Sequence, residues 1–241
     1  MVIREGPPDQ KLSDMLPEPI RDAVRYMGIE EFTEPQRRTI PPIMEGKNVL
    51  LIAPTGSGKT EAAIIPILGK MLGLKGRRGI SLLYVTPLRA LNRDMLRRII
   101  KWAGRLGFTV EVRHGDTPPA TRRKQALKPP DVLITTPETL QAILPGKRMQ
   151  KNLRGVKWVI VDEVHEIAES KRGSQLSVAL ERLEELIGHD FQRIGLSATI
   201  GTPERVGKLL VGSEGSVEIV RVQVPKGYRY WIRWPQPTEE D

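Results

Sequence analysis

The 241-residue chain contains no cysteine, so disulfides, thiolate metal sites and cysteine nucleophiles are excluded. Histidine is nearly as scarce. Three imidazoles without a thiol are too few ligands for zinc, and no zinc is expected. No apolar run approaches the roughly 20 residues of a membrane span, and the N-terminal M-V-I-R-E-G-P-P-D lacks the apolar core of a signal peptide. No internal repeat or low-complexity tract interrupts the chain. The expectation that remains is a soluble, cytoplasmic protein with no membrane partner, long enough to bury one large α/β core.

Charge, by contrast, is plentiful and unevenly spread. From Lys70 to Arg154, 19 Lys and Arg stand against five Asp and Glu, a balance of +14, whereas the whole chain is +9, so the remainder is net acidic. Within that basic segment Arg89, Arg93, Arg97, Lys101 and Arg105 recur every four residues along a predicted helix and form a slowly drifting stripe. Like charges at that spacing repel by about 0.2–0.5 kcal/mol per pair. A bound polyanion would relieve the repulsion, and a solvated helix face would tolerate it; the stripe alone fits both.

Residues Ala53–Thr60 read A-P-T-G-S-G-K-T, after the apolar run Asn48–Ile52 and at the start of a predicted helix. Strand, glycine-bearing loop and helix N-terminus in that order wrap a polyphosphate. Gly56 and Gly58 let the loop turn its N–H groups inward, and the helix dipole favours an anion there. Pro54, Thr55, Gly56, Ser57, Gly58, Lys59 and Thr60 form the expected nucleotide cradle, with Lys59 on the β- and γ-phosphates and the Thr60 hydroxyl on Mg²⁺. Ala53 stands where the strict pattern has glycine. About 100 residues on, the β-branched run Lys157–Val161 ends in Asp162-Glu163-Val164-His165. Two carboxylates at the end of a buried strand cost desolvation energy unless a cation or ligand compensates. Asp162 is the expected Mg²⁺ ligand and Glu163 the group that orients or deprotonates the attacking water; a solvated acidic turn is the other reading of the pair taken alone.

Seven apolar runs read as strands: Asn48–Ala53, Ile80–Thr86, Thr109–Arg113, Asp131–Thr135, Lys157–Val161, Arg193–Ser197 and Val217–Val222. Several are continuous rather than alternating, which favours a mostly parallel sheet covered on both faces. Helical patterns lie at Leu12–Met27, Pro35–Met44, Lys59–Leu72, Leu88–Arg105, Pro118–Leu127, Glu138–Leu144, Ser174–Ile187 and Pro203–Leu210. The expected fold is α/β, a doubly wound sheet with helices on both faces. Ala53, Thr86, His114, Thr136, Asp162 and Ser197 all follow a strand's C-terminal end, where such sheets bind ligands. The tail from Pro225 carries Tyr228, Tyr230, Trp231 and Trp234. Those rings suit base stacking, packing on a neighbouring element, or the start of a linker.

The strings F-T-E-P-Q (Phe32–Gln36), A-P-T-G-S-G-K-T-E-A-A (Ala53–Ala63), T-P-L-R-A-L (Thr86–Leu91), T-T-P-E (Thr135–Glu138), D-E-V-H-E (Asp162–Glu166), S-K-R-G (Ser170–Gly173) and L-S-A-T-I-G (Leu196–Gly201) occur in that order. In this the chain resembles the first RecA-like motor domain of superfamily 2 helicases, most closely the large helicase-related group and its Ski2-like relatives, from about Phe32 to Val222. The resemblance implies ATP and Mg²⁺ as cofactors. It implies that Gln36 reads the adenine edge, its carboxamide donating and accepting at once, with Phe32 packing near the base, although Gln36 after Pro35 equally suits a helix cap. Ser197 and Thr199 are implied to couple hydrolysis to strand movement, with His165 as a further coupling residue. Their hydroxyls also suit local bonding in a turn.

For nucleic acid, the resemblance implies backbone contacts from Arg89, Thr136 and the loop His114-Gly115-Asp116, joined by the stripe residues Arg93, Arg97 and Lys101. Arg172 and Gly173 match a further family element. Backbone contacts read little sequence and weaken with salt. Single-stranded DNA is the favoured partner, with RNA, as in Ski2-like helicases, or an ATP-gated clamp as alternatives; a metabolic P-loop kinase is disfavoured, since no acceptor pocket or lid segment is evident. Residues 1–45 are expected to form a helical flank carrying the adenine motif, 46–224 the ATP-binding domain, and 225–241 a linker toward a second RecA-like domain of the same parent chain, which would supply arginine fingers.

Overall fold

The computed structural model describes residues 6–76, 79–87, 91, 93–168, 170–199 and 201–223. Arg89, Ile200 and the four tail aromatics lie outside them. All seven predicted strands form: β1 (Val49–Ile52), β2 (Leu82–Val85), β3 (Val110–Arg113), β4 (Val132–Thr135), β5 (Trp158–Val161), β6 (Gln192–Ser197) and β7 (Glu218–Arg221). They make one sheet in the order β3-β4-β2-β5-β6-β1-β7, and every pairing is parallel. The expected mostly parallel sheet is therefore wholly parallel.

Continuous apolar strands follow from burial on both faces. Val49, Leu51, Leu82, Tyr84, Trp158, Ile160, Ile194 and Leu196 point into one core layer, under α1 (Asp9–Asp14), α2 (Glu18–Tyr26), α3 (Glu34–Met44), α4 (Lys59–Leu72) and α5 (Arg93–Arg105). Leu50, Ile52, Leu83, Val85, Val159 and Val161 point into the other. That second layer lies beneath α7 (Pro137–Ile143), α8 (Lys147–Leu153), α9 (Val164–Ala168), α10 (Lys171–Ile187) and α11 (Pro203–Val211). The helix α6 (Pro119–Leu127) packs beside α8 at the β3 edge. Among the described residues no helix is long and apolar enough to cross a membrane.

Three departures from the sequence reading have local causes. Leu12–Met27 splits into α1 and α2 because Pro17, the N-cap of α2, lacks an N–H and excludes helical geometry at the residue before it. The short helix α8 has only Met149 and Leu153 buried, too weak a periodicity to read, and α9 has five residues. Gly173, near the start of α10, stands so close to α9 that a Cβ would lie 2.9 Å from the Ile167 carbonyl oxygen.

The topology brings the ends of β1, β6, β5 and β2 side by side, since β6 alone separates β1 from β5. Gly195 in the middle of β6 permits this packing: a Cβ there would stand 2.4 Å from Leu210 Cδ1 and 2.9 Å from Leu50 Cδ1. Gly195→Val adds three carbons to that contact and should cost about 1–3 kcal/mol by overpacking, seen as a melting temperature lower by several degrees in a thermal scan.

Candidate functional site

A cleft of about 580 Å³ opens at the carboxyl ends of the central strands, lined by Thr33, Thr55, Gly56, Gly58, Lys59, Thr60, Glu61, Asp94, Met95, Arg98, Asp162, Glu163 and Glu166. The glycine-bearing loop and the acidic pair, about 100 residues apart in sequence, thus wall one cavity. A second cleft of about 680 Å³ lies at the opposite end of the sheet around Lys47, Glu184 and Arg193, and holds none of the motifs.

Two left-handed glycines shape the loop, Gly56 at φ 76° and Gly58 at φ 85°. Gly58 is also the N-cap of α4, and no side chain caps that helix. Its first-turn N–H groups, which lack intrahelical acceptors, are thus left for a ligand. The loop is fastened from α3: Thr33 Oγ1 donates to the Ser57 carbonyl at 2.9 Å, and Gln36 Nε2 donates to the Gly58 carbonyl at 3.4 Å. Ser57 turns inward, its hydroxyl donating to the Pro54 carbonyl at 2.7 Å. Lys59 is buried, its ammonium donating to the carbonyls of Ala53 at 2.9 Å and Pro54 at 3.2 Å. Those carbonyls hold the cation at the loop's mouth.

Across the cleft, Asp162 is only 7% exposed. Its Oδ2 accepts from the Tyr84 hydroxyl at 2.5 Å and its Oδ1 from the Glu163 N–H at 2.8 Å. Burial raises its pKa above the ordinary carboxylate value, opposed by those two hydrogen bonds and by the charges of Lys59 and Arg98. Glu163 is likewise raised, by burial and then by the Asp162 charge. Its backbone is left-handed at φ 47°, the one such non-glycine among the described residues, a conformation that costs on the order of 1–2 kcal/mol for an L-residue. Glu163 Oε2 is buried with no hydrogen-bond partner among the described residues. His165 Nδ1 lies 3.4 Å from it.

His165 links this pair to β6. Its Nδ1 stands 3.1 Å from Ser197 Oγ, and Ser197 Oγ donates to the Thr199 carbonyl at 3.0 Å. Since the serine proton is used on Thr199, the network assigns the Nδ1 proton to His165, which donates to Ser197. Thr199 takes part through its backbone carbonyl, not through the hydroxyl expected from its motif.

Other expected roles are redistributed. Gln36 is buried, its Oε1 accepting from the Thr33 N–H at 3.0 Å in a capping box at the head of α3, and Phe32 lies in the core. Neither lines the cleft; Thr33 does. Here the carboxamide serves as the helix cap that its place after Pro35 also suggested. Thr136, expected to meet a nucleic-acid strand, is 4% exposed and caps α7, its hydroxyl accepting from the Thr139 N–H. The loop His114–Asp116 is tied internally: His114 Nδ1 accepts from the Asp116 N–H at 3.2 Å, and Arg122 donates to the exposed Gly115 carbonyl. Arg172 spans α10 to α7, its Nε 2.6 Å from Glu138 Oε1.

The cationic stripe divides. Arg93, Arg97 and Lys101 are all exposed on α5, but the Lys101 ammonium lies 5.5 Å from the Tyr26 ring centroid and the Arg105 guanidinium 4.6 Å from it. These two cations rest on α2, which leaves Arg93 and Arg97 as the outward pair. Two residues bonded to the motifs carry no motif themselves. Arg98, one position off the stripe, reaches Glu61 Oε1 at 3.1 Å; Tyr84 is hidden in an apolar strand, and its signal was a hydroxyl that must find a partner if buried.

Five carboxylates and two cations line the cleft, an excess of negative charge that a divalent cation offsets. Among the described residues no group of three or more His, Cys, Asp or Glu forms a cage. That donor set fits Mg²⁺, which takes one or two protein ligands and completes its shell with water and phosphate oxygens.

Comparison with known proteins points the same way. Residues 33–206 match the DEAD/DEAH box helicase family. The ATP-dependent helicase Lhr-Core of Sulfolobus acidocaldarius is 45% identical over 208 residues, 81% of this chain and 24% of that protein. Lhr-Core protein 2 of Thermococcus barophilus, also named an ATP-dependent helicase, is 43% identical over 221 residues, 85% of this chain and 25% of its own length. The solved structure of Mycobacterium smegmatis helicase Lhr bound to ssDNA and AMP-PNP superposes with TM-score 0.82 at 38% identity, over 90% of this chain and 29% of that one. The chain spans about a quarter of the length of the curated relatives it matches.

Two outcomes follow from the geometry. A Cβ on Gly58 would meet Gln36 Nε2 at 2.5 Å at a left-handed φ, so Gly58→Ala should displace the loop and abolish nucleotide-induced thermal stabilisation. For Glu163, the folded pKa lies above the unfolded one, so between them the folded chain binds more protons and stability falls as pH rises. Glu163→Gln should therefore melt above wild type near neutral pH, with the gap closing as pH drops toward about 4; equal melting curves across that range would contradict the assignment.

Proposed function

The chain belongs to the DEAD/DEAH box helicase family, and from that premise we propose that it is the ATP-binding motor domain of an ATP-dependent superfamily 2 helicase that moves on single-stranded DNA. The observation that carries the reading is the convergence of Lys59, Thr60, Asp162 and Glu163 on one cleft. Single-stranded DNA is preferred to RNA because the solved relative at 38% identity holds ssDNA.

ATP is the substrate. The open N–H groups of α4 and the ammonium of Lys59, exchanging its loop carbonyls for phosphate oxygens, bind the β- and γ-phosphates. Thr60 and Asp162 would hold Mg²⁺, which when bound supplies Lewis-acid neutralisation of the phosphate oxygens. Glu163, its Oε2 unpaired and its backbone strained toward the cleft, positions the attacking water and takes its proton. Its raised pKa brings it closer to the operating pH, as suits a general base.

The path outward runs from Glu163 through His165 to Ser197 and Thr199. Any change in charge or position at Glu163 therefore reaches the end of β6. Single-stranded nucleic acid is bound by the exposed loop at Gly115 and by Arg93 and Arg97, through phosphates rather than bases. The reading also needs a second RecA-like domain, whose arginine fingers contribute about 10³–10⁵ in rate.

Glu163→Gln should lower single-turnover hydrolysis of labelled ATP by about 10²–10⁴-fold while leaving nucleotide binding intact, whereas Lys59→Ala should remove binding itself. Unaltered hydrolysis in the Glu163 variant would sink the proposed chemistry. For the track, Arg93→Glu with Arg97→Glu should cut affinity for a fluorescent single-stranded DNA and flatten its salt dependence; Lys101→Glu with Arg105→Glu, which face Tyr26, should act more weakly. Equal losses in both pairs would return the stripe to a uniform electrostatic field.

A further inference from the structure

Tyr84 belongs to none of the motifs, yet its buried hydroxyl bonds a carboxylate of the cleft wall. The residue is fully buried in β2 and pairs in register with Ile160 of β5, two positions before Asp162. Its side chain lies in the layer beneath α4, the helix that begins at Lys59 and Thr60. From there the phenol donates to Asp162 Oδ2 at 2.5 Å. Phenylalanine would fill the same volume, so packing alone gives no reason for the oxygen.

The direction of this bond follows from counting protons: an ionised carboxylate can only accept, so the single phenolic proton goes to Asp162. Asp162 Oδ1 is meanwhile fixed by the Glu163 N–H at 2.8 Å, and its backbone N–H by the Val85 carbonyl at 2.8 Å. Tyr84 on β2 thus orients a carboxylate at the end of β5, 78 residues further along the chain.

We propose that Tyr84 is a positioning residue whose one buried hydroxyl aligns the Asp162 carboxylate so that it offers its lone pairs to the divalent cation of the cleft. The inference rests on the reading of the cleft as a magnesium–ATP site. Tyr84 acts through Asp162. Groups that orient metal ligands in this way are worth about 10–100-fold in metal affinity.

The test is a magnesium titration of fluorescent ATP-analogue binding to the 241-residue chain, comparing wild type with Tyr84→Phe, alongside melting curves without nucleotide. The half-saturating Mg²⁺ concentration should rise about tenfold in the variant, while binding at saturating Mg²⁺ and binding without Mg²⁺ both stay at the wild-type level. A purely structural tyrosine would instead lower the melting temperature and weaken binding equally at every Mg²⁺ concentration, which would overturn the assignment, as would an unshifted titration. Tyr84→Leu provides a second deletion of the hydroxyl should phenylalanine disturb the strand, and the same Mg²⁺ shift is expected from it. If wild type itself shows no magnesium-dependent binding, the ATP reading falls and takes Tyr84 with it; if wild type shows it and neither variant shifts, only Tyr84 falls.

Discussion

Asp162 is a carboxylate at the end of a buried parallel strand, and the surrounding chain is organised to keep it there. Burial alone pushes it toward the neutral acid. Opposing that are a phenolic hydroxyl from β2, the N–H of the next residue, and the charges of Lys59 on α4 and Arg98 on α5. Each comes from a different element, so the sheet order and the seating of α4 and α5 must all be right before the carboxylate is tolerable. A buried charge without such partners would cost several kcal/mol.

The same arrangement explains why the site is strained rather than relaxed. Glu163 takes a left-handed backbone and buries an unpaired oxygen beside a second carboxylate. A fold selected for stability alone would discard these features; persistence of such strain marks positions where binding or chemistry repays it. His165 and Ser197 link Glu163 sideways to β6, the strand that lies between the strand before the glycine loop and the acidic strand.

Much of this was legible in the residues. Seven apolar runs gave the seven strands because two-sided burial leaves an uninterrupted hydrophobic record. A-P-T-G-S-G-K-T and D-E-V-H were legible because the chemistry of each needs fixed residue types at fixed local spacing. Roles that depend on where a side chain ends up were not. Gln36 and Thr136 are polar side chains next to helix starts, where a local backbone N–H competes for them, and in the structure each accepts that local bond, Gln36 also donating to the Gly58 carbonyl. Lys101 and Arg105 fit a helical stripe by spacing, but the placement of α2 supplies the Tyr26 ring on which they rest.

Sequence by itself determined the alternation of strands and helices, the phosphate loop and the acidic pair, since all of these are written in local patterns of size, charge and glycine. Tertiary structure alone decided that loop and acids share one cavity, that the stripe divides, and that Tyr84 reaches Asp162. The physical reason is that parallel strands are brought together by crossovers whose order no local pattern encodes, and a hydroxyl in the middle of an apolar run acquires meaning only from the neighbours that the order provides.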